Sequence, residues 1–265
     1  MARPARDAAP KSSGDAPAPQ AGPEFLGTCS LCGYVQIFKP AGVHSIRDEY
    51  PCSQCHASVR YRDQASVIID EFGRGKALTI GQLVRMPGTA RLDIYEAALH
   101  GPFVKHLSRL PGYVRSYFWS DLAPGAIRAG VRNEDLRSLT FPSASFDLVI
   151  TSDVMEHIFD YRKAFEEIHR VLRPGGRHVF TIPTRWPLDP QTTALARDVG
   201  GNIVHLAAER YHVAGDGSKS LVVTDFGEDL LDELEEIGFH TSAVRRGMPL
   251  FPVHRVLTFV SRKRG

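Results

Sequence analysis

From residue 91 onward the apolar positions follow two alternating rhythms. Short runs that are apolar throughout, or at every second position, predict strands at RLDIYE (91–96), GYVRSYFW (112–119), within AGVRNEDL (129–136), at FDLVITSD (146–153) and at RHVFTIP (177–183). Between them the spacing changes to that of a helix. PFVKHLSRL puts Phe103, Val104, Leu107 and Leu110 on one side, and DYRKAFEEIHRVL does the same with Phe165, Ile168, Val171 and Leu172. Pro174, Gly175 and Gly176 stop the second of these helices. A further helix is predicted in DFGEDLLDELEEIGF through Leu230, Leu231, Leu234 and Ile237, and closing strands at 239–246 and 254–261. Upstream, RYRDQASVIIDEF (60–72) reads as a helix ended by Gly73 and Gly75, while 74–90 is ambiguous and 184–225 irregular. Strands alternating with helices imply an α/β fold with a mostly parallel, doubly wound sheet. Ligands of such sheets sit outside the carboxyl ends of the strands, where Glu96, Asp135, Ser152 and Asp153 fall.

Composition narrows the class. The 265 residues are 43% hydrophobic and carry a net charge of +2, so the overall balance marks neither a nucleic-acid nor a membrane-surface binder. No apolar stretch approaches the ~20 residues that span a bilayer. Residues 1–25, rich in Ala, Pro, Ser and Gly, lack an apolar signal region and read as a disordered segment; the expected location is the cytoplasm.

All the cysteines fall in two pairs, Cys29-Ser-Leu-Cys32 and Cys52-Ser-Gln-Cys55. Two such turns aim four thiolates at one point and complete a closed tetrahedral shell, the pattern of a structural Zn2+ site. Two disulfides need an oxidising compartment, and the CxxCH reading of Cys52–His56 as a haem attachment needs export and leaves Cys29 and Cys32 idle. His44 and His56 stand near as substitute ligands, but four cysteines suffice. The stretch from Phe25 to Arg62 mixes Lys39, Arg47, Arg60 and Arg62 with Asp48 and Glu49, which is no basic patch. The organisation expected is a disordered segment 1–25, a zinc-binding ribbon 26–60, a linking helix and connection 61–90, and a main domain 91–265 whose insert 184–225 covers an acceptor pocket.

VRNEDLRSLTFPSASFDLVITSDVMEHI followed by AFEEIHRVLRPGGRHVFTIP resembles the class I S-adenosylmethionine-dependent methyltransferases, and most of all their type 11 group. The resemblance runs from about Arg91 to Pro183 and more loosely beyond. It implies a seven-stranded Rossmann-like sheet and S-adenosyl-L-methionine as cofactor. Glu96 then matches the acidic residue that helps place the methionine end. Asp135 matches the acceptor of the adenine amino group, with Leu136 beside the ring, and Ser152 and Asp153 lie beside the sulfonium. The family's glycine loop after the first strand is altered: its glycine positions hold Ala98, His100 and Pro102, with Gly101 between the last two. The ribose carboxylate is represented only by Asp121.

Methyl transfer to a hydroxyl also needs a proton acceptor. His157, Tyr211 and His212 are the candidate catalytic residues, with packing or surface roles as the alternative for each; His205 is a weaker candidate. Trp119 and Trp186 are placed to stack on an acceptor or to pack at its rim. The favoured partner is a small-molecule methyl acceptor of sugar or natural-product type. An RNA methyltransferase gripping its substrate through the ribbon, and a non-catalytic scaffold with an altered pocket, are the other readings.

Overall fold

The structure is a computed structural model and describes residues 22–42, 45–184, 187–213, 216–248 and 251–265, the side chains of 246–255 excepted. Most of the N-terminal segment, His44 and Trp186 lie outside the described residues.

The cysteine ribbon opens with an antiparallel pair, β1 (Phe25–Thr28) and β2 (Val35–Phe38). Each CxxC turn closes by the same backbone bond, Gly33 N–H to Cys29 carbonyl and His56 N–H to Cys52 carbonyl, both 2.8 Å. Both closing residues have positive φ, 82° at Gly33 and 63° at His56. His56 is therefore the exposed turn residue of the second pair. The helix that leaves the ribbon, α1 (Val59–Phe72), is followed by a single turn, α2 (Ile80–Leu83), capped by the Thr79 hydroxyl. This turn is what the ambiguous stretch 74–90 contains.

The main sheet then forms. Its strands are β3 (Ile94–Ala97), β4 (Tyr113–Tyr117) after helix α3 (Pro102–Leu107), β5 (Ile127–Arg128), β6 (Val131–Asn133) and β7 (Phe146–Ser152). Helix α4 (Tyr161–Val171) leads to β8 (Leu172–Thr181), and β15 (Phe239–Met248) and β16 (Phe251–Lys263) close the sheet. The order across its eight strands is β15-β16-β8-β7-β3-β4-β6-β5. The five central strands β8, β7, β3, β4 and β6 are parallel; β16, β15 and the two-residue β5 are antiparallel additions. From β3 the chain builds outward one way through β4 and β6, then returns to β7 and β8 on the other side. The switch point thus lies between β3 and β7.

Between β8 and β15 the described residues make six short strands, β9 (Thr193–Ala194), β10 (Ala196–Val199), β11 (Asn202–His205), β12 (Tyr211–Val213), β13 (Lys219–Leu221) and β14 (Thr224–Asp225), before helix α5 (Leu230–Ile237). They pair as three small antiparallel ribbons, where the sequence reads as irregular. The signal was the Gly200-Gly201 pair at the β10–β11 turn: both have positive φ, as a two-residue hairpin turn between right-twisted strands demands.

Both faces of the sheet are covered, as its uninterrupted apolar strands require. Alternate residues divide between two cores. Ile94, Leu148, Ile150 and Val179 pack with α1, α3 and the ribbon's Cys29, Leu31, Phe38, Cys52 and Cys55. Their neighbours Tyr95, Val149 and Phe180 pack with α4 and α5. The ribbon and α1 thus share one core with the sheet.

Candidate functional site

A cavity of about 930 Å³ opens at the carboxyl ends of β3, β4, β6 and β7. Its wall includes Glu96, Ala98, His100, Asp135, Leu136, Ser152, Asp153, His157 and His212. Nine positions singled out from the sequence therefore meet around one space.

Glu96 is 2% exposed and its Oε2 accepts a 2.6 Å hydrogen bond from the Tyr113 hydroxyl. Burial pushes its pKa up to about 7, against the opposing effects of the Tyr113 hydroxyl and Arg115. Such a group is ready to ionise when a cation comes beside it. After it, none of Ala98, Leu99 and His100 adopts positive φ, so the loop takes a path open to any residue without the usual glycines. The Leu99 carbonyl accepts from the Arg115 guanidinium at 2.8 Å. Gly101 does not line the cavity: it is the residue before α3, at φ 153°, with Pro102 opening the helix.

Asp135 lines the cavity while holding Arg137, whose Nη2 lies 2.7 Å from Oδ2 and whose backbone N–H donates to Oδ1 at 2.9 Å. Burial works against its charge, but Arg137 outweighs it and holds the carboxyl below the ordinary aspartate range. Its neighbour Glu134 faces the same space, fully satisfied by Arg132 and by the Thr140 backbone and hydroxyl.

Asp153 has a different surrounding from the one the sequence implied. It stands at φ 54° just past β7, with both carboxylate oxygens engaged. Arg47 from the ribbon grips Oδ1 and Arg60 from α1 grips Oδ2, while the Thr181 hydroxyl donates at 2.8 Å. Arg47 also donates to the Ile182 carbonyl at 2.9 Å. Burial opposes ionisation here, yet the two guanidiniums hold the carboxyl low. With two cations already paired to it, Asp153 has little field left to offer a third. Arg47, Arg60 and Tyr61, which also line the cavity, were invisible to sequence reasoning because they converge from segments about 100 residues away.

The remaining candidates separate. Asp121 is exposed outside the cavity and pairs with Arg128, 2.7 Å from Nη2 to Oδ2. Tyr211 is 45% exposed and its hydroxyl donates to Glu209 at 2.6 Å, away from the lining that its neighbour His212 joins. His205 pairs with the same Glu209, and Trp119 packs against Tyr117 and Arg128.

In the ribbon, Cys29 and Cys55 Sγ atoms lie 3.6 Å apart, as do those of Cys32 and Cys52, and all four thiols are within 4.8 Å of one another. That is far beyond a disulfide of about 2.05 Å. It is close to the separation of about 3.8 Å between sulfurs sharing a tetrahedral metal at 2.3 Å. The Tyr34 N–H points at Cys32 Sγ at 3.5 Å, and the Arg62 guanidinium packs close by over Phe38. Both suit a cluster of thiolates. A second group, Glu156, His157 and His212, also brings three ligand atoms within 4.8 Å.

Residues 100–180 match the methyltransferase domain family. The matched stretch is just under a third of the chain. Among curated proteins, a probable S-adenosylmethionine-dependent methyltransferase of Mycolicibacterium smegmatis is 38% identical over 63 residues, 24% of each chain. The malonyl-[acyl-carrier protein] O-methyltransferase of Hahella chejuensis is 30% identical over 141 residues, 45% of this chain and 50% of that one. The chain thus spans about a quarter to a half of the length of these relatives. Among solved structures, DesVI of Streptomyces venezuelae superposes with a TM-score of 0.46 at 14% identity, covering 77% of this chain and 91% of that one. The matched methyltransferase domain covers α3 through most of β8, the part that carries Asp135, Ser152 and Asp153.

Proposed function

We propose that the protein is an S-adenosylmethionine-dependent methyltransferase acting on a small-molecule acceptor, with Zn2+ held structurally by Cys29, Cys32, Cys52 and Cys55. One observation carries this reading: the carboxylates of Glu96, on β3, and Asp135, two residues past β6, line one cavity at the carboxyl edge of the parallel sheet, beside the stretch that matches the methyltransferase domain family. Two acidic groups on one cavity wall suit a ligand with a cationic amine at one end and an adenine at the other. Glu96 would receive the amine and Asp135 the adenine amino group, Leu136 lying beside the ring. The cofactor supplies an activated methyl group; the chain's part is to align it with the acceptor and exclude water. His157 and His212 line the cavity at the edge that the insert reaches, and would face the acceptor.

The four-sulfur spacing supports zinc, since a closed shell of thiolates leaves no position for substrate. The engagement of Arg47 and Arg60 by Asp153 counts against RNA, because these ribbon-side cations are already spent inside the protein. One of the two named relatives, the malonyl-[acyl-carrier protein] O-methyltransferase, favours transfer to a carrier-bound acyl group or a comparable small acceptor. Among the described residues no helix is long and apolar enough to cross a membrane.

Calorimetric titration with S-adenosylhomocysteine tests the cofactor site. A fit at low micromolar affinity is expected, with proton release near pH 6.5 as the amine draws Glu96 into its ionised form. Absence of heat at high micromolar ligand would sink the proposal. A methyl-label screen of sugars and secondary metabolites then identifies the acceptor.

A further inference from the structure

We propose that Glu156, His157 and His212 form a second metal site, for a divalent transition-metal ion, at the edge of the cavity. The deciding observation is a buried carboxyl group without a donor. Glu156 is 1% exposed, yet among the described residues neither of its carboxylate oxygens has a hydrogen-bond partner. The other deeply buried acidic side chains around the cavity are satisfied: Glu96 by Tyr113, and Glu134 by Arg132 and Thr140. A buried carboxyl group without a hydrogen-bond partner costs free energy, which a cation bound beside it would offset.

The geometry supplies the place for it. Oε1 of Glu156 faces Nε2 of His157 at 3.6 Å and Nδ1 of His212 at 3.4 Å. These are long for hydrogen bonds. They are close to the separation of about 3.3–3.4 Å between nitrogen or oxygen ligands sharing a tetrahedral metal at 2.0–2.1 Å. His157 is also held in the correct form, because its Nδ1 lies 2.7 Å from the Leu221 carbonyl. A proton on that nitrogen leaves the Nε2 lone pair free, the outer-shell arrangement typical of ligating histidine. The two imidazoles stand edge to face with centroids 5.1 Å apart, as two rings converging on one point do. The elements are fixed: Glu156 and His157 share the turn Met155–His157, and the Val223 N–H binds the Glu156 carbonyl at 2.8 Å, tying the insert that carries His212 to that turn.

Two imidazoles and one carboxylate with an open side select iron(II), zinc or a similar ion over magnesium or calcium. Both histidines line the cavity, so the open positions take water or an acceptor oxygen. Ligation uses the histidine lone pairs, which gives His157 and His212 the task of holding a cation in place of accepting a proton. The site does not rest on the methyl-transfer reading: a chain that binds the metal but no S-adenosylhomocysteine upholds this inference and overturns that one.

Metal counting tests it. The full chain is dialysed, equilibrated with Zn2+, freed of excess ion, and its metal measured by mass spectrometry. Two equivalents per chain are expected, falling to one in Glu156→Gln and His212→Ala and staying at two in His205→Ala. The retained cysteine-bound equivalent reports that the variants fold. Mn2+, which thiolates disfavour, is titrated by electron paramagnetic resonance and binds at least about 100-fold more weakly to either variant, beyond the 10–100-fold range for loss of an outer-shell partner. One zinc in the unaltered chain, or two in every variant, overturns the proposal.

Discussion

At the residue scale, Glu96 sets function against stability. Unfolded, its carboxyl titrates near 4.5; folded, near 7. Between those values the unfolded chain has released a proton that the folded chain keeps, so its contribution to stability is present below pH 4.5, falls as pH rises, and is lost above about 7. Glu96→Gln removes this penalty. The variant's Tm relative to the unaltered chain is therefore expected to be higher at pH 8 than at pH 5, while its affinity for S-adenosylhomocysteine drops at least about tenfold, the ~1.4 kcal/mol a weakened charged contact represents. Parallel melting curves and titrations at the two pH values check both halves. An unchanged affinity would remove Glu96 from the cofactor site.

Elements whose burial is decided locally were legible in advance. The apolar runs of β3, β7 and β8 and the stripes of α4 and α5 follow directly from periods of two and 3.6, because each buries its own pattern against a face of the sheet. The ribbons of the insert were not legible. Strands β10 and β11 are almost wholly exposed, so no face needs an apolar set, and only Gly200 and Gly201 mark the turn. The candidate site divided the same way. Residues at strand ends, such as Asp135 and Ser152, were readable from the motif; Glu156 was not, because nothing in MEHI tells a buried carboxylate from a solvated one. Helix α1 shows what such long-range polar contacts do. Its buried Gln64 donates to the Thr151 and Val179 carbonyls at 3.1 Å each and accepts from Ser152 at 2.7 Å, bridging β7 and β8 beside the cavity. Gln64→Leu is expected to cost about 1–3 kcal/mol, read by denaturant unfolding, because it strands these polar groups in the core.

Across the whole molecule, the ribbon is tied to the sheet and its cavity through Asp153. Arg47 sits in the loop between the two cysteine pairs, so a metal holding those pairs would also set the position of a cavity-lining guanidinium. Cys32→Ser, which opens the sulfur shell, is expected to lower Tm and to weaken S-adenosylhomocysteine binding at least about tenfold, although Cys32 is not part of the cavity wall. Arg60→Met, which keeps the fold of the ribbon but removes one partner of a buried carboxylate, is expected to cost about 3–5 kcal/mol, with Asp153→Asn recovering part of it. A ribbon variant with lower Tm and unaltered affinity would show the module to be a support alone.

The packing of α1 against β16 has a bearing on synthesis. Asp63 of the helix accepts a 2.6 Å bond from the Thr258 hydroxyl, 195 residues further along. At about 5–20 residues per second, the ribosome needs some 10–40 s to make that distance. Throughout that interval a finished helix waits with its oily side uncovered, a natural client for a chaperone, and the sheet cannot lock until its late strand arrives.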